Sequence, residues 1–123
     1  MGHGDELVLA DGNFPAASIA KRLVRADAHG IPALLDAILR FLPLDTYVDC
    51  PVALMASDDP GFRAPVWETY SKLILLHEGD VRIERMERFA FYDRAKSAYA
   101  VVASGETALY GNIILKKGVV SDE

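Results

Sequence analysis

Short apolar runs alternate along this chain with segments whose apolar residues recur at helical spacing. An apolar run that ends at turn-forming residues is typical of a buried strand, and a run that alternates apolar with charged residues is typical of a half-buried one. The predicted strands are Glu6–Ala10, Leu23–Ala26, Pro51–Ala56, Val81–Met86, Tyr99–Ala103 and Asn112–Leu115. The segments with helical spacing are Ile31–Leu42, Val66–Leu76 and Phe89–Ala98.

This order of elements predicts an α/β fold in which helices cover a mixed or mostly parallel sheet. The chain has 123 residues, which is an ordinary size for one domain, so we expect residues 1–123 to form a single domain. Any functional site must then be built within one core or shared between copies of the chain. On the predicted helix Val66–Leu76, Trp67 and Tyr70 follow the apolar spacing and are expected in the core.

The charge and apolar patterns exclude several classes of partner. The net charge is -5, with acidic and basic residues interspersed, so no basic stripe is available for a nucleic acid backbone. No apolar run approaches the roughly 20 residues that span a bilayer, and the N-terminal residues MGHGDE lack the pattern of a secretory signal. Cys50 is the single cysteine and cannot form an internal disulfide. We therefore expect a cytoplasmic protein without nucleic acid or membrane partners.

Two candidate chemical groups flank the first predicted strand. His3 lies between two glycines, which leave its imidazole uncovered, and histidine can give and take a proton near neutral pH. The alternative is a flexible terminus. Asp11 follows the strand, at the end where open α/β sheets bind ligands. Its alternative is a turn residue that binds its own backbone.

Two further candidates lie in the second half of the chain. Arg88 follows the strand Val81–Met86 and offers a rigid fork of donors, although a salt bridge to Glu84 or Glu87 would also explain it. The trio Tyr110, Gly111 and Asn112 precedes the last strand and can present donors and acceptors to a polyhydroxylated ligand. The same trio would also make a turn.

The sequence gives no sign of a metal or a cofactor. His3, His29 and His77 are dispersed and lack the spacing of metal ligands. Neither a phosphate-binding glycine loop nor a G-x-S-x-G nucleophile motif occurs. We predict no metal site and no cofactor.

Four segments taken together resemble the fucose mutarotases of the ribose pyranase and fucose mutarotase family. They are MGHGDELVLADGNFPA at the start, VRAD at Val24–Asp27, RFAFYDRA at Arg88–Ala95 and SGETALYGNIILKKGV at Ser104–Val119. The resemblance implies a three-layer fold and an isomerase that interconverts the α and β anomers of L-fucose by acid/base ring opening and closure. It also implies a homo-oligomer, often a decameric ring, with sites near subunit contacts.

The resemblance assigns roles to the candidate residues. It makes His3 the proton donor, and we add Tyr110 as a second proton relay. The residues that it implies for sugar binding are Asp11, Arg88, Tyr110, Gly111 and Asn112. Tyr92 or Trp67 could supply an apolar face for the sugar ring.

The sequence departs from the family at two places. Members usually carry a helix before the MGHGD segment, so His3 is expected to fray unless another element holds it. Many relatives also have Asp-Ala-His where this chain has Asp11-Gly12-Asn13.

Three alternatives to a fucose mutarotase stay open. They are a D-ribose pyranase, a non-catalytic sugar-binding oligomer and a purely structural oligomer. Ribose pyranases carry Tyr-Ala-Asn and a histidine in place of Arg88, which favours fucose.

Overall fold

The computed structural model describes residues 1–120, and these form a six-stranded sheet with four helices. The strands are β1 Glu6–Ala10, β2 Leu23–Ala26, β3 Val52–Met55, β4 Ile83–Met86, β5 Ala100–Ser104 and β6 Ile113–Lys116. The helices are α1 Ala16–Ile19, α2 Ile31–Leu39, α3 Pro65–Glu78 and α4 Arg88–Lys96. The predicted α/β class is confirmed. Residues 121–123 of the predicted domain lie outside the described residues.

The sheet is mixed, with strand order β2-β5-β1-β6-β3-β4. β5 pairs in parallel with β1 and β2, and β3 pairs in parallel with β4. β6 lies between β1 and β3 and is antiparallel to both. The beginning of β6 therefore lies at the same edge of the sheet as the ends of the other strands. We call this the carboxyl edge, and the opposite one the amino edge.

Side chains of the central strands form a core on each face of the sheet. Leu7 and Leu9 of β1 belong to the core beneath α2 and α3, whereas Val8 and Ala10 belong to the core beneath α1 and α4. Alternate side chains of a strand point to opposite faces, so one buried strand supports both layers. The arrangement is the predicted sheet with helices on both faces.

The ends of all three predicted helices differ from the predicted bounds, and α4 ends at Lys96, two residues before the predicted Ala98. α2 ends at Leu39, before the predicted Leu42, and the amides of Phe41 and Leu42 both bond to the carbonyl of Ile38 in a closing turn. Pro43 explains the early end, because a residue before proline is disfavoured in the helical region. α3 continues past Leu76 to Glu78 and ends at Gly79, which has φ 78°. Within residues 1–120, no helix is long and apolar enough to span a bilayer.

Candidate active site

A cavity of about 350 Å³ opens at the carboxyl edge of the sheet. Its lining consists of Asp11, Asn13, Phe14, Met55, Arg88, Tyr92, Leu109, Tyr110 and Asn112. Four of the predicted site residues thus meet in one place. They come from distant parts of the chain: Asp11 and Arg88 follow β1 and β4, which end at this edge, whereas Tyr110 and Asn112 precede β6, which begins there.

Asp11 and Asn112 are joined directly because β1 and β6 are neighbours. Asp11 follows β1 and Asn112 precedes β6, so the two face each other at the carboxyl edge. The Asp11 amide donates to Asn112 Oδ1 at 2.7 Å, and the Gly111 amide donates to Asp11 Oδ2 at 3.2 Å. The two strand ends therefore hold each other's polar groups in a fixed arrangement.

The Asp11 carboxylate is buried at the base of this arrangement. Its side chain also accepts from the Asn13 amide at 3.0 Å. Asp11 is therefore both a turn residue that binds the nearby backbone, as in the alternative prediction, and a cavity residue. Burial raises the pKa of Asp11, while hydrogen bonds from the backbone of Asn13, Gly111 and Phe14 oppose the rise. Each carboxylate oxygen has a second lone pair, and a sugar hydroxyl could donate to it.

Tyr110 has the left-handed backbone conformation, with φ 56°. For a residue other than glycine this conformation costs about 1–2 kcal/mol. Its carbonyl accepts a hydrogen bond from Trp67 Nε1 at 2.8 Å, and its ring lies 5.7 Å from that of Phe62. No hydrogen bond joins the Tyr110 hydroxyl to another residue in the described range, which leaves it available at the cavity.

Gly111 does not line the cavity, although it was predicted to bind sugar. A Cβ at this position would lie 3.1 Å from the Ala108 carbonyl oxygen and 3.3 Å from the Tyr70 hydroxyl. Only glycine fits without displacing these neighbours. We therefore assign Gly111 a role in spacing the chain between Tyr110 and Asn112.

Arg88 is the first residue of α4 and points a guanidinium toward the cavity. The expected alternative partners, Glu84 and Glu87, are not its partners: Arg88 Nη2 lies 3.3 Å from Asp58 Oδ2 instead. The Arg88 Nε atom is buried and has no hydrogen-bond partner among residues 1–120. A buried donor without a partner costs free energy, so a rotation of the guanidinium that brings this N–H to a bound hydroxyl would be favourable.

Glu84 and Glu87 have other roles in the structure. Glu87 caps α4, because its Oε2 accepts from the Ala90 amide at 3.0 Å. Glu84 lies 3.4 Å from Arg94, which also binds Glu6. Both carboxylates are thus engaged away from Arg88.

His3 lies at the amino edge and not at the cavity. Its Nε2 lies 3.1 Å from Asp45 Oδ1, and its ring packs edge-on against Tyr47. The hydrogen bond from the Tyr47 amide and the His3 imidazole lower the pKa of Asp45. Asp45 is therefore the element that holds His3, which would otherwise be expected to fray at the terminus.

The sheet separates His3 from the predicted binding residues of the same chain. A strand rises about 3.3 Å per residue, so the path from Glu6 to Asp11 spans about 16 Å. The structure brings Asp11, Arg88, Tyr110 and Asn112 together within one chain, and it does not bring His3 to them.

Trp67 and Tyr70 are buried in the core, as predicted, and Tyr92 lines the cavity. Trp67 does not line it, so a stacking role for Trp67 is not supported. Tyr70 donates from its hydroxyl to the Gly111 carbonyl at 2.8 Å. Sequence reasoning missed these polar contacts, although a buried tyrosine or tryptophan usually needs a partner for its polar tip.

Comparison with known proteins places the chain among sugar-binding relatives. The RbsD / FucU transport protein family matches residues 1–120. A human protein named fucose mutarotase is 56% identical over 98% of this chain and 83% of its own length. The structure of a fucose mutarotase from Streptococcus pneumoniae in complex with L-fucose superposes with a TM-score of 0.95 at 52% identity, over 98% of this chain and 87% of that one.

A more distant structure shares the fold alone. Bacillus subtilis RbsD complexed with D-ribose superposes with a TM-score of 0.75 at 21% identity, over 98% of this chain and 87% of that one. The higher identities are those to fucose mutarotases. The chain therefore belongs to the RbsD / FucU family.

Proposed function

We propose that this protein is an L-fucose mutarotase, an isomerase that interconverts the α and β anomers of the sugar. The observation that carries the proposal is the cavity at the carboxyl edge, where a carboxylate, a guanidinium, a phenol and an amide meet. The lining also includes Phe14, Met55 and Leu109. L-Fucose has several hydroxyls and one methyl group, so a mixed polar and apolar lining fits it.

The polar residues divide into hydrogen-bond acceptors and donors for the hydroxyls. Asp11 would accept from a sugar hydroxyl, whereas Arg88 and Asn112 would donate. Arg88 favours fucose over ribose, because the related ribose pyranases carry a histidine at this position. The identity of 52–56% to fucose mutarotases, against 21% to the ribose-bound structure, supports the same choice.

The reaction requires two proton transfers. Opening the ring places a proton on the ring oxygen and removes one from the anomeric hydroxyl; rotation about C1–C2 and closure then reverse both transfers. Positioned acid–base groups contribute typically about 10²–10⁴-fold to such a step. The Tyr110 hydroxyl is the proton relay within the chain.

The His3 of a second copy is the other proton-transfer group in this proposal. His3 and the cavity lie at opposite edges of the sheet, so one chain's histidine can complete only another chain's cavity. Such a contact joins two different surfaces, and repeated contacts of this kind close into a ring when the rotation allows. Exposed apolar side chains at both edges, among them Phe41 and Tyr47 at one and Phe89 and Leu109 at the other, support a homo-oligomer.

The compartment that we propose is the cytoplasm. The lone Cys50 cannot form an internal disulfide, which suits a reducing compartment.

Saturation-transfer NMR between the anomeric protons of L-fucose tests the reaction, with D-ribose measured in parallel. We expect the protein to accelerate exchange of fucose and to act weakly on ribose. An intact protein that accelerates neither sugar would contradict the proposed reaction. Faster exchange of ribose than of fucose would show that the protein is a D-ribose pyranase.

Mixing two inactive variants tests the shared site. Arg88→Ala removes a cavity residue and His3→Ala removes the proton donor, so each variant alone should lose most of the acceleration. If the two are refolded together in equal amounts, about a quarter of the contacts join an intact cavity to an intact His3, and about a quarter of the activity should return. Two inactive variants that show no recovery in a mixed oligomer would exclude a His3 supplied by a neighbour.

A further inference from the structure

Two buried aromatic side chains of α3 donate hydrogen bonds to the backbone just before β6. Trp67 Nε1 donates to the Tyr110 carbonyl at 2.8 Å, and the Tyr70 hydroxyl donates to the Gly111 carbonyl at 2.8 Å. Both side chains belong to the core beneath α2 and α3, with exposures of 5% and 0%. They are three residues apart, so they share one face of the helix. We call Trp67 and Tyr70 the α3 donor pair.

The α3 donor pair hydrogen-bonds to the backbone at Tyr110 and Gly111, where Tyr110 has a strained backbone conformation. Within residues 1–120, Tyr110 is the single non-glycine residue with positive φ. A strained backbone conformation persists only where its surroundings hold it. The hydrogen bond from Trp67 fixes the carbonyl of this residue while the Tyr110 side chain lines the cavity.

The next residue is held from two sides. The Gly111 carbonyl accepts from Tyr70, and the Gly111 amide donates to Asp11 Oδ2. Gly111 thus links a helix on one face of the sheet to the carboxylate at the base of the cavity. A shift of Tyr70 would be transmitted through Gly111 to both Asp11 and Asn112.

We propose that Trp67 and Tyr70 are positioning residues of the sugar site, which hold Tyr110 in its left-handed conformation and so place its side chain in the cavity that Asp11 and Asn112 also line. The inference rests on the proposed function, because it assigns these groups to fucose. Neither residue lines the cavity, so neither touches the sugar. Burial raises the pKa of Tyr70, so its hydroxyl stays protonated and donates at every working pH.

The packing alone does not require a hydroxyl at position 70. Phenylalanine would fill nearly the same volume, so Tyr70→Phe removes the donor and keeps the apolar contacts. Losing this hydrogen bond should weaken fucose binding, by at most about the five- to tenfold that one hydrogen bond is worth. Tyr99→Phe is the matched control, since Tyr99 directly precedes β5 and does not line the cavity.

The Trp67 indole gives a readout that does not depend on sugar. The protein has one tryptophan, so its NMR spectrum contains one indole N–H signal. Tyr70→Phe removes the donor to the Gly111 carbonyl, so the neighbouring Tyr110 carbonyl, which accepts from the indole, should be held less firmly. We expect the indole signal to shift and its proton to exchange faster with water. Tyr99→Phe should leave the signal unchanged. An indole signal that is identical in wild type and Tyr70→Phe would overturn the linkage.

A double-mutant cycle separates positioning from general stability. Fucose affinity and anomer exchange would be measured, well below the unfolding temperature, for wild type, Tyr70→Phe, Tyr110→Phe and the double variant. If Tyr70 acts by placing the Tyr110 hydroxyl, its loss should matter less once that hydroxyl is gone, so the effects should be less than additive. Additive effects, or wild-type affinity and exchange in Tyr70→Phe, would overturn the proposal. Wild-type protein that neither binds nor exchanges fucose would instead contradict the proposed function, and the indole readout would still decide whether the α3 donor pair holds the backbone.

Discussion

Among single residues of the cavity, Arg88 combines an ion pair at the protein surface with a buried N–H that has no partner. Its Nε is buried without a partner, while Nη2 is paired with the exposed Asp58. The guanidinium also lies over the Phe89 ring, with its central carbon 4.7 Å from the ring centre. The guanidinium is thus paired through Nη2 and unpaired at Nε.

Replacing Arg88 by lysine should therefore remove most of the activity even though the charge is kept. Lysine has no planar fork and no donor at the position of Nε, and a lost hydrogen bond from a charged group is worth about 1.5–3 kcal/mol. We expect Arg88→Lys to slow fucose exchange roughly 10- to 100-fold in the saturation-transfer assay. Arg25→Lys, in an exposed ion pair on β2, is the control and should behave as wild type. Full activity of Arg88→Lys would show that only the positive charge is used.

Asp36 of α2 and His77 of α3 form a contact that joins the two helices. Asp36 Oδ1 lies 2.7 Å from His77 Nε2, and Arg40 lies 3.3 Å from the other oxygen of the same carboxylate. The hydrogen bond to His77 is the main reason why the pKa of Asp36 is lowered, and Arg40 adds to it. Since α3 carries Trp67 and Tyr70, this link belongs to the layer that supports the cavity.

The lowered pKa predicts how the α2–α3 contact depends on pH. A carboxylate with a depressed folded pKa contributes stability above its unfolded pKa of about 3.9, and this stability is lost as the pH falls through the folded pKa. We expect Asp36→Asn to be less stable than wild type near neutral pH, with the difference shrinking as the pH falls below about 4. Urea unfolding across this range measures the difference. Asp93→Asn, in an exposed ion pair with Lys96, should show little difference at any pH. A difference for Asp36→Asn that is the same at all pH values would contradict this assignment.

For the whole molecule, the two edges of the sheet carry complementary parts of one proposed site. The cavity lies at the carboxyl edge, whereas His3 and Asp45 lie at the amino edge. Near His3, Phe41 is 86% exposed and borders an apolar hollow that includes Met1 and Leu42. A large exposed aromatic next to an apolar hollow is typical of a contact surface.

Changing Phe41 should therefore affect assembly and activity together. A carboxylate at this position would be buried without a partner in a subunit contact, so Phe41→Glu should yield smaller particles and lose fucose exchange. Phe41→Leu keeps an apolar side chain and should retain both properties. Sedimentation velocity and the NMR assay measure them on the same samples. Phe41→Glu with wild-type mass would show that this surface is not a subunit contact.

The periodicity of the sequence predicted most of the architecture. Strand and helix signals are local, since they depend on apolar spacing, glycine and proline, so β1 was predicted with its observed bounds and the helices to within a few residues. The resemblance implied a site of His3, Asp11, Arg88, Tyr110, Gly111 and Asn112, and the cavity is lined by Asp11, Arg88, Tyr110 and Asn112. The ends of the helices were less predictable, because a single proline or glycine shifted them.

Only the tertiary structure decided which of these residues can act together. The antiparallel insertion of β6 between β1 and β3 places Asn112 beside Asp11, and no local pattern specifies which strands pair. The same topology puts His3 at the far edge, although His3 and Asp11 are close in sequence. The α3 donor pair likewise became visible only in three dimensions, because hydrogen bonds from Trp67 and Tyr70 to the backbone of Tyr110 and Gly111 join residues about 40 positions apart. Sequence spacing determined the elements, and the long-range pairing of strands and buried polar groups determined the site.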